Sequence, residues 1–119
     1  MEKIDFGPGI SMPLKPDKRK RAEEFLSEIL GCRETLRNDN YTCYQFPNGQ
    51  ILGITPDDNA PTEEEYENSV WLELISDDFE ATKKRITNFG VREVTGGMPD
   101  AFFFNLPGGV VFRLVSKDK

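Results

Sequence analysis

Shifted by sixty residues, this 119-residue chain partly overlays itself. ISMPLKPDKRKRAEEFLSEILG (10–31) lies over VWLELISDDFEATKKRITNFGV (70–91), and YQFPNGQILGI (44–54) lies over FNLPGGVVFRL (104–114). Pro47 meets Pro107, Gly49 meets Gly109, and an apolar stretch follows each turn. Identity between the halves is low, so the repeat is one of pattern and spacing. Such a repeat constrains the fold strongly, because each unit is one supersecondary structure that cannot bury its apolar face alone.

Each half reads as strand, helix, then three strands. In the first, Ile10–Leu14 is a short strand interrupted by Pro13, which places it at a sheet edge. Pro16 and Asp17 open a helix with Ala22, Phe25, Leu26, Ile29 and Leu30 on its apolar face, and Gly31 ends it. Strands are predicted at Arg33–Arg37, Thr42–Phe46 and Gln50–Thr55, joined by NDN and PNG turns. In the second half, Trp71–Ile75 is a strand, and Asp77 or Asp78 caps a helix running to Asn88. Gly90 stops that helix, and strands follow at Val91–Val94, Ala101–Asn105 and Val110–Val115. The acidic connector between the halves reads as a solvated linker, with Thr62 and Glu65 spaced as a capping box. It lacks the ligand spacing and central glycine of an EF-hand calcium loop.

The expected architecture is therefore α+β: two tandem βαβββ modules whose curved mixed sheets form a cleft or half-barrel, with the helices outside. Module one spans about 8–58, the connector 59–68 and module two about 69–117, within a single domain.

Composition narrows the chemistry. There is no histidine, which removes histidine-based nucleophilic triads and histidine metal ligation together. Two cysteines, Cys32 and Cys43, read as free, small core residues of a reducing compartment. The net charge of −6 opposes nucleic-acid binding, and the basic run KPDKRKR reads as a solvated helix start. Apolar runs fall far short of the roughly 20 residues of a membrane span. MEKIDFGPG lacks a signal-peptide layout, so a cytoplasmic location is expected, with no membrane partner. GPG at 7–9 is not followed by a helix and makes a poor phosphate cradle, and GGMPD at 96–100 reads as a loop at the mouth of the cleft.

Alternation in VWLELIS puts Trp71, Glu73 and Ile75 on one side of a strand, with the only tryptophan beside a carboxylate. That face is either a solvated surface or the wall of a pocket. Phe103 opposes Phe102 and Phe104 by the same period, so the three phenylalanines divide between core and cleft.

The tandem units, the helix ending in Leu30-Gly31, SDDFEATKKRITNFGV and the late NLPGGVVFRLV resemble the vicinal oxygen chelate superfamily, which includes glyoxalase I, bleomycin-resistance proteins and extradiol dioxygenases. The likeness spans about residues 8–116, and NLPGG lacks the leading Asp of the usual family turn. The resemblance implies a divalent ion held from the first and last strands of each unit. The matching positions are Ser11, Gly53, Trp71 and Arg113, and the sixty-residue offset pairs Ser11 with Trp71 and Gly53 with Arg113. None is a usual ligand set, so neither a metal nor another cofactor is expected.

On this reading the cleft is lined by Ser11, Tyr44, Gly53, Trp71, Glu73, Phe104 and Arg113, and a homodimer encloses a small organic ligand, planar or cationic. The alternative is a lyase, isomerase or dioxygenase, either with non-standard metal ligands or metal-free with Glu73 as general base and Arg113 steadying an oxyanion. The metal-free form requires Glu73 and Arg113 to stand far enough apart to admit substrate. A further alternative is a module whose interior is filled by its own side chains, with Glu73 and Arg113 an ordinary cross-strand pair.

Overall fold

The structure, a computed structural model, describes residues 2–95 and 101–117. The expected loop at 96–100 lies outside the described residues. Module one runs β1 (Gly9–Leu14), α1 (Arg19–Glu24), β2 (Arg33–Arg37), β3 (Thr42–Gln45) and β4 (Ile51–Pro56). A short helix α2 (Glu63–Tyr66) leads to module two: β5 (Trp71–Ser76), α3 (Phe79–Phe89), β6 (Glu93–Val94), β7 (Phe102–Asn105) and β8 (Val111–Ser116). The sheets order as β1-β4-β3-β2 and β5-β8-β7-β6. In each, the first strand pairs parallel with the last and the remaining pairs are antiparallel. This is the α+β pair of βαβββ modules expected from the repeat, with neither sheet closed on itself.

The helix of module one is built in three pieces. A single 3-10 turn at Pro16–Lys18 starts it, and a wider π turn over Phe25–Ile29 ends it. Gly31, at φ +71°, lets the chain leave, and the Cys32 amide bonds back to the Leu26 carbonyl at 2.9 Å. In α3, Asp78 rather than Asp77 is the cap, its carboxylate accepting from the Ala81 amide at 3.2 Å, and Gly90 terminates the helix in the left-handed region.

Both helices lie on one face of their sheets, and that face is the core. Met12, Leu14, Leu52 and Ile54 of sheet one share it with Phe102, Phe104, Phe112 and Leu114 of sheet two. Phe25 joins the modules, with its ring centroid 5.3 Å from that of Phe89 and 5.7 Å from that of Phe104. Cys32 is buried here as a free thiol, and burial pushes its pKa up to about 12, which suits an inert core residue. Among the described residues, no helix is long and apolar enough to cross a membrane.

The connector departs from the solvated linker expected. The capping box forms as read, with the Thr62 hydroxyl accepting from the Glu65 amide and the Glu65 carboxylate accepting from the Thr62 amide. Tyr66, however, is buried in the shared core, and its hydroxyl donates to the Pro13 carbonyl of β1. The Glu63 carboxylate accepts from the Gly108 amide at 2.6 Å, and Asn105 donates to the Glu63 carbonyl at 3.1 Å. A helix of one turn has room for a single inward side chain, and Tyr66 is that residue. The connector therefore clamps the β7–β8 turn against module one.

Candidate functional site

The sheet faces away from the core carry the candidate site. On sheet two, alternation along β5 turns Trp71, Glu73 and Ile75 outward, while Leu72 and Leu74 pack on the core. Arg113 of β8 lies directly opposite Glu73 in the parallel register. Its Nη1 donates to the Glu73 carboxylate at 3.2 Å, and the guanidinium carbon stands 5.4 Å from the Trp71 ring centroid. Phe103 meets Trp71 edge to face, with ring centroids 6.4 Å apart. The result is a carboxylate, a largely covered guanidinium and two aromatic rings on one face of the sheet. Trp71 is 50 % exposed, and the adjoining Val70 and Ile75 are exposed as well.

On sheet one, Ser11 is opposite Gly53, and a side-chain carbon at Gly53 would stand only 3.4 Å from the Ser11 hydroxyl oxygen. The Cys43 sulfur lies 3.5 Å from the same point, so Ser11 and Cys43 together cover a buried Gly53. Tyr44 and Phe104 are placed differently from the other five residues named from sequence. Both are buried on the core face, beside Leu52 and Phe112. The Tyr44 phenol is pushed up to about 12 by burial and then by the negative charges of Glu23 and Glu34. The structure thus brings Trp71, Glu73 and Arg113 together, sets Ser11 and Gly53 on the other sheet, and sends Tyr44 and Phe104 inward.

The register also corrects the equivalence between modules. The offset of sixty holds for the turns: Gly49 donates to the Phe46 carbonyl at 2.9 Å, as Gly109 does to Leu106 at 2.7 Å. It does not hold for the first strands. Gly53 pairs with Ser11, and its counterpart Arg113 pairs with Glu73, not Trp71. Glu73 is therefore the counterpart of Ser11, and Trp71 that of Gly9. The four equivalent positions are a hydroxyl, a glycine, a carboxylate and a guanidinium that already bonds that carboxylate. This donor set does not fit a divalent cation, since Arg113 supplies the positive charge in its place. Among the described residues, no three His, Cys, Asp or Glu side chains are grouped to hold a metal ion.

A separate cavity of about 470 Å³ lies in the seam between the modules. Ile10, Phe46, Leu72, Leu74 and Phe112 give it an apolar wall, and of the seven residues named from sequence only Glu73 reaches it. Phe46, Leu72 and Leu74 are only half-buried around it, which hydropathy alone does not signal.

No family model matches the chain, and no curated protein matches it in sequence. Solved structures do match. A glyoxalase/bleomycin resistance protein/dioxygenase superfamily member from Sphaerobacter thermophilus superposes with a TM-score of 0.69 at 19% identity, covering 96% of this chain and 98% of that one. TnmS3, an antibiotic binding protein from Streptomyces sp. CB03234, gives 0.66 at 19% identity, covering 98% of each chain. FosX, a fosfomycin resistance protein from Listeria monocytogenes, gives 0.70 at 17% identity, covering 96% and 94%. With two unclosed mixed sheets in tandem βαβββ modules, the chain has the fold of the glyoxalase/bleomycin resistance/dioxygenase proteins, the vicinal oxygen chelate superfamily.

Proposed function

We propose that this protein binds a small organic molecule against the Trp71, Glu73 and Arg113 face, without a metal ion, as a cytoplasmic homodimer whose second copy covers that face. The observation that carries the reading is the placement of Arg113 opposite Glu73 under the Trp71 ring, on a surface left open. An aromatic plate beside a fixed pair of opposite charges recognises a planar ligand with a charged end. The exposed Trp71 and Ile75 form an apolar margin of the kind that marks an interaction surface. The likeness to an antibiotic binding protein and to a fosfomycin resistance protein supports a ligand of drug-like size. Catalysis by Glu73 is the weaker alternative, because at 3.2 Å the carboxylate is engaged by Arg113 and no gap admits a substrate between them.

The test is direct because Trp71 is the only tryptophan. Planar cationic aromatics, with neutral and anionic analogues, are titrated while Trp71 fluorescence is followed, and native mass spectrometry is run on the purified protein. Saturable quenching is expected, weakened at least about tenfold in Glu73→Gln or Arg113→Met through loss of a charge-assisted contact. A dimer mass free of metal is expected as well. Absence of quenching across the panel, or a stoichiometric divalent ion in the purified protein, refutes the reading.

A further inference from the structure

The repeat makes each module a control for the other, and the two seams between them differ. In the first seam, the β7–β8 turn is docked on module one. A side-chain carbon at Gly109 would stand 3.1 Å from the Met12 sulfur, and one at Gly108 would stand 2.5 Å from Lys18 Cβ. The connector that precedes β5 closes this seam with Tyr66, whose hydroxyl bonds the Pro13 carbonyl. Leu14 accepts from the Asp57 amide of the β4 side, so by strand alternation the Pro13 carbonyl faces the free edge of β1. Tyr66 thus covers an edge strand.

In the second seam the corresponding β3–β4 turn faces β5, and the cavity of about 470 Å³ separates them. Four consecutive residues, Leu72 to Ile75, line it, so the cavity runs along the free edge of β5. Ser76 accepts from the Lys117 amide as Leu14 does from Asp57, which turns the backbone groups of Glu73 and Ile75 to that edge. The chain piece that precedes β1, as the connector precedes β5, is the N-terminal segment. It begins at the rim: the Pro8 carbonyl accepts from the Ile51 amide at 2.9 Å and from the Gln50 side chain, and both residues line the cavity. Within it, Ile4 and Phe6 are the most exposed large apolar side chains among the described residues. Their spacing of two puts both on one side of an extended segment.

In the structure Ile4 and Phe6 stand clear of the cavity, and we propose that residues 3–7 are a strap that closes onto it, lying extended along the free edge of β5 in the same chain and seating both side chains there. Phe6 is two residues from the Pro8 anchor, a reach of about 7 Å. The strap does for β5 what Tyr66 does for β1. It covers an edge that would otherwise pair with another chain, and it fills the seam with apolar side chains that match an apolar wall. The cavity is then structural, and it borders the Trp71 face at Glu73 and Ile75 without including Trp71 or Arg113.

Methyl-labelled protein tests this by nuclear Overhauser contacts in solution. Contacts between the Phe6 ring and the Leu72 and Leu74 methyl groups are expected, and they vanish in Phe6→Ala. The same variant is expected to raise fluorescence of the apolar dye anilinonaphthalene sulfonate several-fold, as the cavity opens. Phe6 is not part of the shared core, so its removal leaves the folded core intact. Absence of those contacts, with backbone order parameters over 3–7 of a free tail (below about 0.6), overturns the proposal. So do contacts seen only between labelled and unlabelled copies in a mixed sample, because the strap would then belong to a neighbouring chain.

Discussion

Gly108→Ala and Gly49→Ala together measure how tightly the first seam is closed. Both glycines sit in the Pro-containing turns that the repeat aligns, and both hold left-handed backbone, at φ +77° and +95°. A methyl group on either must adopt a conformation that costs an L-residue about 1–2 kcal/mol. At Gly49 nothing lies within 4 Å of the added carbon, so that is the whole cost. At Gly108 the carbon would stand 2.5 Å from Lys18 Cβ, 2.8 Å from Lys18 Cγ and 3.5 Å from Leu14 Cβ. Lys18 Cβ is fixed to the backbone and cannot swing aside, so overpacking adds about 1–3 kcal/mol. Urea denaturation with a common m-value is expected to give a loss of about 1–2 kcal/mol for Gly49→Ala. For Gly108→Ala the expected loss is about 2–5 kcal/mol, a large fraction of a typical domain's stability. Equal losses, or a larger one at Gly49, would show that the β7–β8 turn is not pressed against the module-one helix. The contrast between closed and open seams would then fail.

Two further outcomes rest on partly buried polar contacts. Glu23 is desolvated, which alone would raise its pKa, but hydrogen bonds from Thr42, Arg37 and Arg19 outweigh this and hold it below the ordinary value of 4.5. A depressed carboxylate stabilises the fold above its unfolded pKa, and that contribution is lost as pH falls through the folded value. Glu23→Gln is therefore expected to lower stability by about 1–3 kcal/mol at pH 7, with the gap to the parent narrowing below about pH 4.5 in stepped-pH urea titrations. A gap independent of pH would refute the assignment. Tyr66→Phe removes the bond to the Pro13 carbonyl while keeping the ring, and should cost about 0.5–1.5 kcal/mol by the same denaturation assay. No loss would mean that water serves that carbonyl equally well.

How much of this was legible depends on what leaves a trace in hydropathy. The modules, the glycine stops and the turns were legible, because Pro47-Asn48-Gly49 and Pro107-Gly108-Gly109 fix two strand ends and a one-residue error would turn a strand inside out. A two-residue error leaves no such trace. Moving β1 along β5 by two residues keeps every side chain on its own face, so the overlay of Ser11 on Trp71 read as well as the true match to Glu73. The inward turn of Tyr44 and Phe104 follows from the same period once Leu52 and Phe112 are placed opposite them. Tyr66 was missed for another reason: one helical turn is too short to show a periodicity. Ile4 and Phe6 sit in a stretch read only as lacking a signal-peptide layout, although their spacing of two is visible.

The corrected register bears on whether the Trp71 face is a surface or a wall. With Ser11 matched to Trp71, the two modules would differ only in bulk. With Ser11 matched to Glu73, the same two positions are a hydroxyl over a glycine in module one and a carboxylate locked to a guanidinium in module two. One face has only small side chains around Gly53, and the other carries Trp71, Glu73 and Arg113. In the proposed homodimer, a second copy turned by a two-fold axis would set the smaller side chains of one face against the larger ones of the other twice over. An ion pair meant only for solvent gains little from a tryptophan laid across its cation, since exposed pairs are worth at most about 1 kcal/mol. In the proposed dimer, desolvation by the second copy is what would give that aromatic contact its full strength, and the proposed planar ligand would share it.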